Sequence, residues 1–212
     1  MTYTVRGFII GKEDIREYDR LFYLYTEEQG RMVALAQGVR KISSKLCGNL
    51  EPLSHVTCGI ARGKSLDRIA SVTMHNRFLP VKEQLEKCSA AQFFFEVLNQ
   101  LVKDGQSDEA LCHLIGDVLV TLEEAKSGQA SAIGIAALAK LSMILGLQST
   151  APKSLQLLHR TQSLTRFNKV ASKADHKDLF RRVQVFIQNN CDRPLRSKEF
   201  FDFYSLISTK SL

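Results

Sequence analysis

The 212-residue sequence has no long hydrophobic run: its most apolar stretch, Ala130 to Leu147, is interrupted by Ser131, Gly134, Lys140, Ser142 and Gly146. A bilayer span needs about 20 consecutive apolar residues, so no membrane span is expected. The opening MTYTVRGFII has neither a basic start nor an extended apolar stretch, which predicts no signal peptide. Cysteine is sparse and odd in number: Cys47, Cys58, Cys88, Cys112 and Cys191, the nearest pair eleven positions apart. That spacing excludes a local CxxC zinc or redox motif and predicts reduced thiols, each a small buried hydrophobe, in a cytoplasmic protein. Catalytic signatures are also missing, with no GxxxxGK[ST], no GxGxxG after a strand, no GxSxG and no HExxH. His55, His75, His113, His159 and His176 stand isolated, and the neighbouring Asp14, Glu17 and Asp19 read as a solvated turn rather than a metal cluster. The expectation is a binding protein without turnover, cofactor or metal.

What is present is ordinary globular composition, 44% hydrophobic and 24% charged, which predicts a folded chain. The formal net charge of +7 is unevenly placed. Residues 1–80 carry twelve Lys/Arg against eight Asp/Glu, residues 81–150 five against nine, and residues 151–212 twelve against five. Two basic ends therefore flank an acidic middle, a distribution suited to a polyanionic partner.

From Tyr3 to about Phe78, β-branched and aromatic residues alternate between turn signals. Five strands are predicted at Tyr3–Ile10, Asp19–Thr26, Arg31–Val39, His55–Arg62 and Leu66–His75. Gly30 and the tetrapeptide Arg62-Gly63-Lys64-Ser65 supply the hairpin turns, and the polar stretch Gly38–Leu53 is the one long connection. This string fits a five-stranded OB-type barrel, although other small barrels share it. After Pro80 the period changes to about 3.6. Ala91, Phe94, Leu98, Leu101 and Val102 form one stripe, and Leu111, Leu114, Ile115, Val118, Leu119 and Leu122 form the next. Ala130–Leu147, with Lys140 as its one charge, predicts a central buried helix. Further helices are expected with Pro152 in the first turn and running to about Leu164, over His176–Gln188 with Asp175 as cap, and from Ser197 to about Ile207. The predicted architecture is α+β in two parts: an OB-type nucleic-acid-binding domain over 1–79 and an all-α domain over 80–212 with a basic C-terminal region.

The most specific local feature is Gly38-Val39-Arg40-Lys41-Ile42-Ser43-Ser44-Lys45-Leu46, whose cations and hydroxyls can neutralise and hydrogen-bond phosphates without reading bases. Arg40, Lys41 and Lys45 are the leading candidate DNA contacts, with Arg16, Arg20, Arg62 and Lys64 on neighbouring loops and strand ends. Phe8, Phe22, Tyr23 and Tyr25 lie on strands and offer stacking rings, but strict alternation sends about half of them inward. Phe8 and Phe22 are expected in the core. Arg181 and Arg182, off the apolar stripe of their helix, join Arg193 and Arg196 as candidates for an acidic peptide or further phosphates.

These residues also carry a resemblance. Gly7-Phe8-Ile9-Ile10, Glu17-Tyr18-Asp19-Arg20-Leu21, Tyr25-Thr26-Glu27-Glu28-Gln29-Gly30-Arg31, the loop from Ala36 to Leu46 and Leu50-Glu51-Pro52-Leu53 are similar, in that order, to the N-terminal domain of the RecO family of bacterial recombination mediators. Arg193-Pro194-Leu195-Arg196-Ser197-Lys198-Glu199-Phe200-Phe201 is similar to the family's closing motif, while the middle agrees only as a helical region. The resemblance implies binding of single- and double-stranded DNA, annealing of complementary strands, and help for RecA on DNA coated by single-strand-binding protein. It further implies a grip on that protein's acidic C-terminal tail, often together with RecR, at the nucleoid in the cytoplasm. Many members carry a four-cysteine zinc module after the central helices. Here no cysteine lies between Cys112 and Cys191 and the link from Leu147 to Leu155 is short, so no zinc is expected. Apart from the resemblance, the residues equally fit a general OB-type nucleic-acid-binding or scaffold protein in another pathway, such as RNA handling. Salt-dependent strand annealing separates the two readings, and a detected metal, cofactor or turnover would point instead to an enzyme.

Overall fold

Five strands close on themselves in the order β1-β2-β3-β5-β4 in a computed structural model that describes residues 1–147 and 153–197. They are β1 (Thr2–Asp14), β2 (Arg20–Thr26), β3 (Gly30–Ala36), β4 (Ser54–Ala61) and β5 (Asp67–Asn76). All ladders are antiparallel except β3 with β5, a short parallel seam of Ala34 with Asp67 and Leu35 with Arg68. This closure is the OB-type barrel expected above. Alternation decides the lining. Val5, Ile9, Phe22, Leu24, Ala34, Ala36, Val56, Cys58, Ile60 and Ile69 fill the interior, and Val39 and Leu50 from the long connection join them. Each large side chain so buried contributes about 1.5–3 kcal/mol.

β1 is five residues longer than the sequence suggested because it serves two neighbours. Thr2 through Ile9 pair with β4, and Gly7 through Asp14 pair with β2, with a register shift between Ile9 and Gly11. An extra residue in one strand bends it and increases its twist, which lets one strand turn from one partner to the other. Gly7 sits where both ladders overlap, and a Cβ there would lie 2.1 Å from the Tyr25 carbonyl oxygen. β3 ends at Ala36 rather than Val39, because Gly38 turns the chain with a φ of +64°. Of the aromatic residues expected in the core, Phe22 is in the interior, whereas Phe8 is buried on the outer side of β1 and stacks on His55.

The barrel unit comprises 1–78 together with 102–112, so it takes in a segment from beyond the expected boundary at residue 79. That segment covers the outer face of β2. Tyr25 is fully buried, its hydroxyl donating to the Asp108 carbonyl and accepting from the Asp108 amide. Ser107 Oγ donates to the Glu27 carbonyl, Arg31 pairs with Asp104, and Gly30 (φ +64°) passes so close to Gln106 that a Cβ would overlap its carbonyl. Burial lifts the Tyr25 phenol to about 12.

The second unit, 79–101 with the chain after 112, is helical. Its elements are α1 (Leu79–Glu83), α2 (Leu85–Leu101), α3 (Glu109–Glu124), α4 (Ala130–Ile144), α5 (Lys153–Thr161), α6 (Leu164–Val170) and α7 (Lys173–Asn190), with the first residues of α3 belonging to the barrel unit. α4 is central, packing on α2, α5, α6 and α7. The apolar stripe from Leu111 to Leu122 is buried, as is most of the stripe on α2, where Phe93, Phe95 and Val97 widen the covered face. Two helix ends differ from expectation. The helix expected to reach Leu164 stops at Thr161, where Gln162 takes a positive φ of 56°, and an unexpected second helix, α6, starts at Leu164, whose amide Asp117 accepts. The cap of α7 is Ser172 rather than Asp175, which returns the bond to the Ser172 amide as the other half of a capping box. Pro152 and the expected last helix beyond Ser197 lie outside the described residues. Among the cysteines Cys58 is buried, with its thiol pushed up to about 12, but Cys47 is exposed, contrary to the expectation of burial.

Two outcomes are expected. Gly7→Ala forces backbone apart at the overlap of two ladders and lowers stability by about 2 kcal/mol, read as a reduced urea midpoint. His176, edge-on to Phe167, has a buried Nδ1 without a hydrogen-bond partner among the described residues. Burial holds its imidazole below the ordinary value, more than Asp175 raises it. The fold therefore favours the neutral ring. Its contribution is complete above the unfolded value of about 6.5 and is lost as pH falls from there toward the lowered folded one. Thermal melts at pH 7.5 and 5 should show a smaller acid loss in His176→Phe than in the parent.

Candidate nucleic-acid interface

Two loops meet at one end of the barrel: residues 15–19, linking β1 to β2, and the stretch after β3 that opens the long connection. Asp19, on the first, is largely buried, and its Oδ1 accepts the Gly38 amide at 2.8 Å. The Arg40 amide donates to the Tyr18 carbonyl at 3.2 Å. The second loop then folds on itself through Lys41 N to Gly38 O and Ser44 N to Lys41 O. Leu46 and Leu50 anchor its far side by packing on the barrel core. The loop is thus held by backbone bonds at one end and apolar burial at the other.

The side chains sort into holders and presenters. Asp14 takes Arg20 at 2.5 Å and Arg40 at 3.4 Å, and the Arg20 guanidinium holds its carboxyl below the ordinary range. Arg16 approaches Asp19 at 3.6 Å and stays largely exposed. Lys41 lies over the Tyr18 ring, 5.3 Å from its centroid. Lys45 is exposed. Five cations (Arg16, Arg20, Arg40, Lys41, Lys45) stand against three carboxylates (Asp14, Glu17, Asp19), leaving a cationic rim. Exposed apolar surface lies among them: Ile15, Tyr18 and Ile42.

Of the expected contacts, Arg16, Arg40, Lys41 and Lys45 present outward at this rim, while Arg20 is mostly covered and committed to Asp14. Arg62 and Lys64 lie on the β4–β5 hairpin beside the first residues of β1, where Arg62 covers the Tyr3 ring at 5.7 Å and the Tyr3 hydroxyl bonds Asp67. Tyr25 is not available for stacking, and Tyr23 is partly covered, donating to Glu13 and holding Arg31 at 5.5 Å. The exposed ring at the rim is Tyr18, which the strand pattern could not single out because it lies in a turn. Its signal in the sequence was only its place next to Asp19. In the helical unit, Arg181 is exposed on α7 and Arg182 bonds Asp178 at 2.8 Å. Arg193 and Arg196 are exposed on a segment tied through its backbone to Gln100 and Glu96. Among the described residues no group of three His, Cys, Asp or Glu is placed to hold a metal.

The closed five-stranded barrel with this rim, carried on one chain with a helical unit, defines an OB-barrel protein. Residues 1–78 match the family described as recombination protein O, N terminal. The DNA repair protein RecO of Pelotomaculum thermopropionicum is 29% identical over 144 residues, covering 68% of this chain and 55% of that protein. Those of Rubrobacter xylanophilus and Dehalococcoides mccartyi are each 31% identical over 126 residues, covering 59% of this chain and 50% and 49% of theirs. Residues 1–78 thus resemble the RecO N-terminal domain, and the chain spans about half the length of the curated relatives it matches.

Asp19→Ala should release the loop: loss of a charged acceptor costs about 2 kcal/mol, and amide exchange at Gly38 and Arg40 should rise while the barrel strands stay protected.

Proposed function

We propose that this protein is a DNA-binding recombination mediator that acts without turnover. It holds single strands on the rim of its barrel, anneals complementary strands, and assists RecA on DNA coated by single-strand-binding protein. The observation that carries this reading is the rim itself. Lys41 and Lys45 are held outward on a tethered loop beside an exposed tyrosine, so phosphates meet cations while an unpaired base meets a ring. The similarity of residues 1–78 to the RecO N-terminal family, and of the chain to DNA repair proteins RecO, supports the pathway. The basic surface of the helical unit, with Arg181, Arg193 and Arg196 exposed, suits the acidic tail of single-strand-binding protein or further phosphates, and RecR is a candidate partner beside it. The site of action on this reading is the cytoplasm, at the nucleoid, and no helix among the described residues is long and apolar enough to cross a membrane.

A salt titration tests the rim. Each phosphate neutralised on a single strand adds about −0.7 to the slope of log affinity against log salt. Replacing Arg40, Lys41 and Lys45 together by alanine should therefore flatten it by roughly 2, with similar losses for different base sequences. A thermal melt controls for folding, which exposed loop charges change by only about 0.5 kcal/mol. An unchanged slope in the folded variant moves the strand elsewhere.

A further inference from the structure

The outer face of β1, β4 and β5 is a separate surface from the rim. On β4, β5 and the stretch of β1 that pairs with β4 (Thr2–Ile9), residues with outward side chains include Arg6, Thr57, Arg68, Ser71, Thr73 and His75, and none of the outward positions there is Asp or Glu. Register places them in rows across the strands. Arg6 stands beside Thr57 and Thr57 beside Thr73, while Gly59 stands beside Ser71 and Ala61 beside Arg68. Gly59 and Ala61 keep the middle of the face low. Asp67, at the start of β5, is occupied by Tyr3 and the Gly63 amide. The carboxylates at the margin are Glu27, 3.8 Å from the Arg6 guanidinium, and Glu28, which accepts the Arg6 amide.

Across this face runs a row of three rings, one from each strand. Phe8 stacks on His55 with centroids 4.7 Å apart and planes 20° from parallel, and His55 meets His75 at 5.1 Å. Arg6 Nε lies 3.3 Å from His55 Nε2, and the Thr57 hydroxyl bonds His75 Nε2 at 2.7 Å, which fixes the outermost ring. Phe8 is buried, His55 half-buried and His75 exposed, so the row ends in a positioned ring open to solvent. Burial, reinforced by Arg6 and His75, holds the His55 imidazole below its ordinary value and keeps it an uncharged stacking partner at neutral pH.

We infer that this face is a second contact for single-stranded nucleic acid, one unpaired base stacking on His75 while Arg6, Arg68 and the Thr57, Ser71 and Thr73 hydroxyls meet the sugar-phosphate chain. The complementarity is chemical. A polyanion needs donors without competing carboxylates, and a base needs a π-face, which every base shares. The inference rests on the reading of the barrel as a single-strand binder.

The test uses the full chain and oligonucleotides containing a fluorescent adenine analogue. His75→Ala should weaken single-strand affinity about tenfold, the loss of one stacked base, and leave the salt slope unchanged. His75→Tyr, which restores a ring, should keep the affinity and quench the analogue. Arg6→Ala with Arg68→Ala should instead flatten the slope by about 1.4. Thr73→Glu, which puts a carboxylate on the exposed face, should weaken binding without lowering the melting temperature. If His75→Ala, Thr73→Glu and the arginine pair all bind as the parent does while the Arg40/Lys41/Lys45 variant loses affinity, this face is a bystander and the rim reading stands. A parent chain that retains no single strand at low salt overturns both. Equal losses in His75→Ala and His75→Tyr overturn the stacking role.

Discussion

Closure of the barrel depends on one strand hydrogen-bonding along both of its edges. β1 pairs with β4 over its first half and β2 over its second, and the irregularity between Ile9 and Gly11 redirects it from one to the other. Everything positioned at the rim inherits this geometry. The loop of 15–19 begins where the β1–β2 ladder ends at Asp14 and Arg20, and the loop after Ala36 begins opposite Arg20 on β2's other edge. The backbone of β1 and β2 approaches so closely at Gly7 that a side chain has no room there. A defect at this one crossing would loosen the rim with the barrel.

Several carboxylates among the described residues hold backbone amides. Asp19 takes Gly38, Asp117 takes Leu164, and Glu86 takes both Gly128 and Ala130 ahead of α4. Glu96 takes Arg196 and Ser197. Charge-assisted bonds of this kind are about twice as strong as neutral ones. They spend negative charge on loop and helix starts, which leaves lysines and arginines nearby facing solvent. At the rim the consequence is direct: Asp14 and Asp19 organise the two loops, and Lys41 and Lys45 remain to present charge. Part of the acidic middle of the sequence follows the same logic, since Glu86, Glu96 and Asp117 are structural acceptors.

A barrel offering two surfaces of different character bears on how a mediator could handle strands. The rim concentrates charge on a loop tip with Ile42 fully exposed, while the β1–β4–β5 face is flatter, with hydroxyls and a ring row. The first would dominate salt-dependent attraction, and the second would add contacts that salt hardly moves. On the proposed reading, holding one strand by two unlike contacts would let a complementary strand displace the weaker without releasing the stronger.

Periodicity in the sequence was enough to locate the five strands, the three long apolar helices and the basic loop, because those depend on local alternation and on turn residues such as Gly30 and Gly38. Which side of each strand is covered depends on parts of the chain far away. Phe8 and Phe22 looked alike, yet Phe22 faces the interior and Phe8 the outside. Tyr25 is lost as a platform because Asp108, 83 positions later, closes over its hydroxyl. Arg20 and Arg40 were both candidate contacts in the sequence, but Asp14 pairs with both and Arg20 is the more covered. The ends of α5 and α7 went astray because Asp117 interrupts the helix path and Ser172 caps before Asp175 can. The sequence by itself therefore determined the elements and the charge available to them, through short-range sterics and hydrophobic period. Only the tertiary structure decided which cations and rings are free to meet a ligand, because burial and ion pairing are long-range contacts that no local window contains.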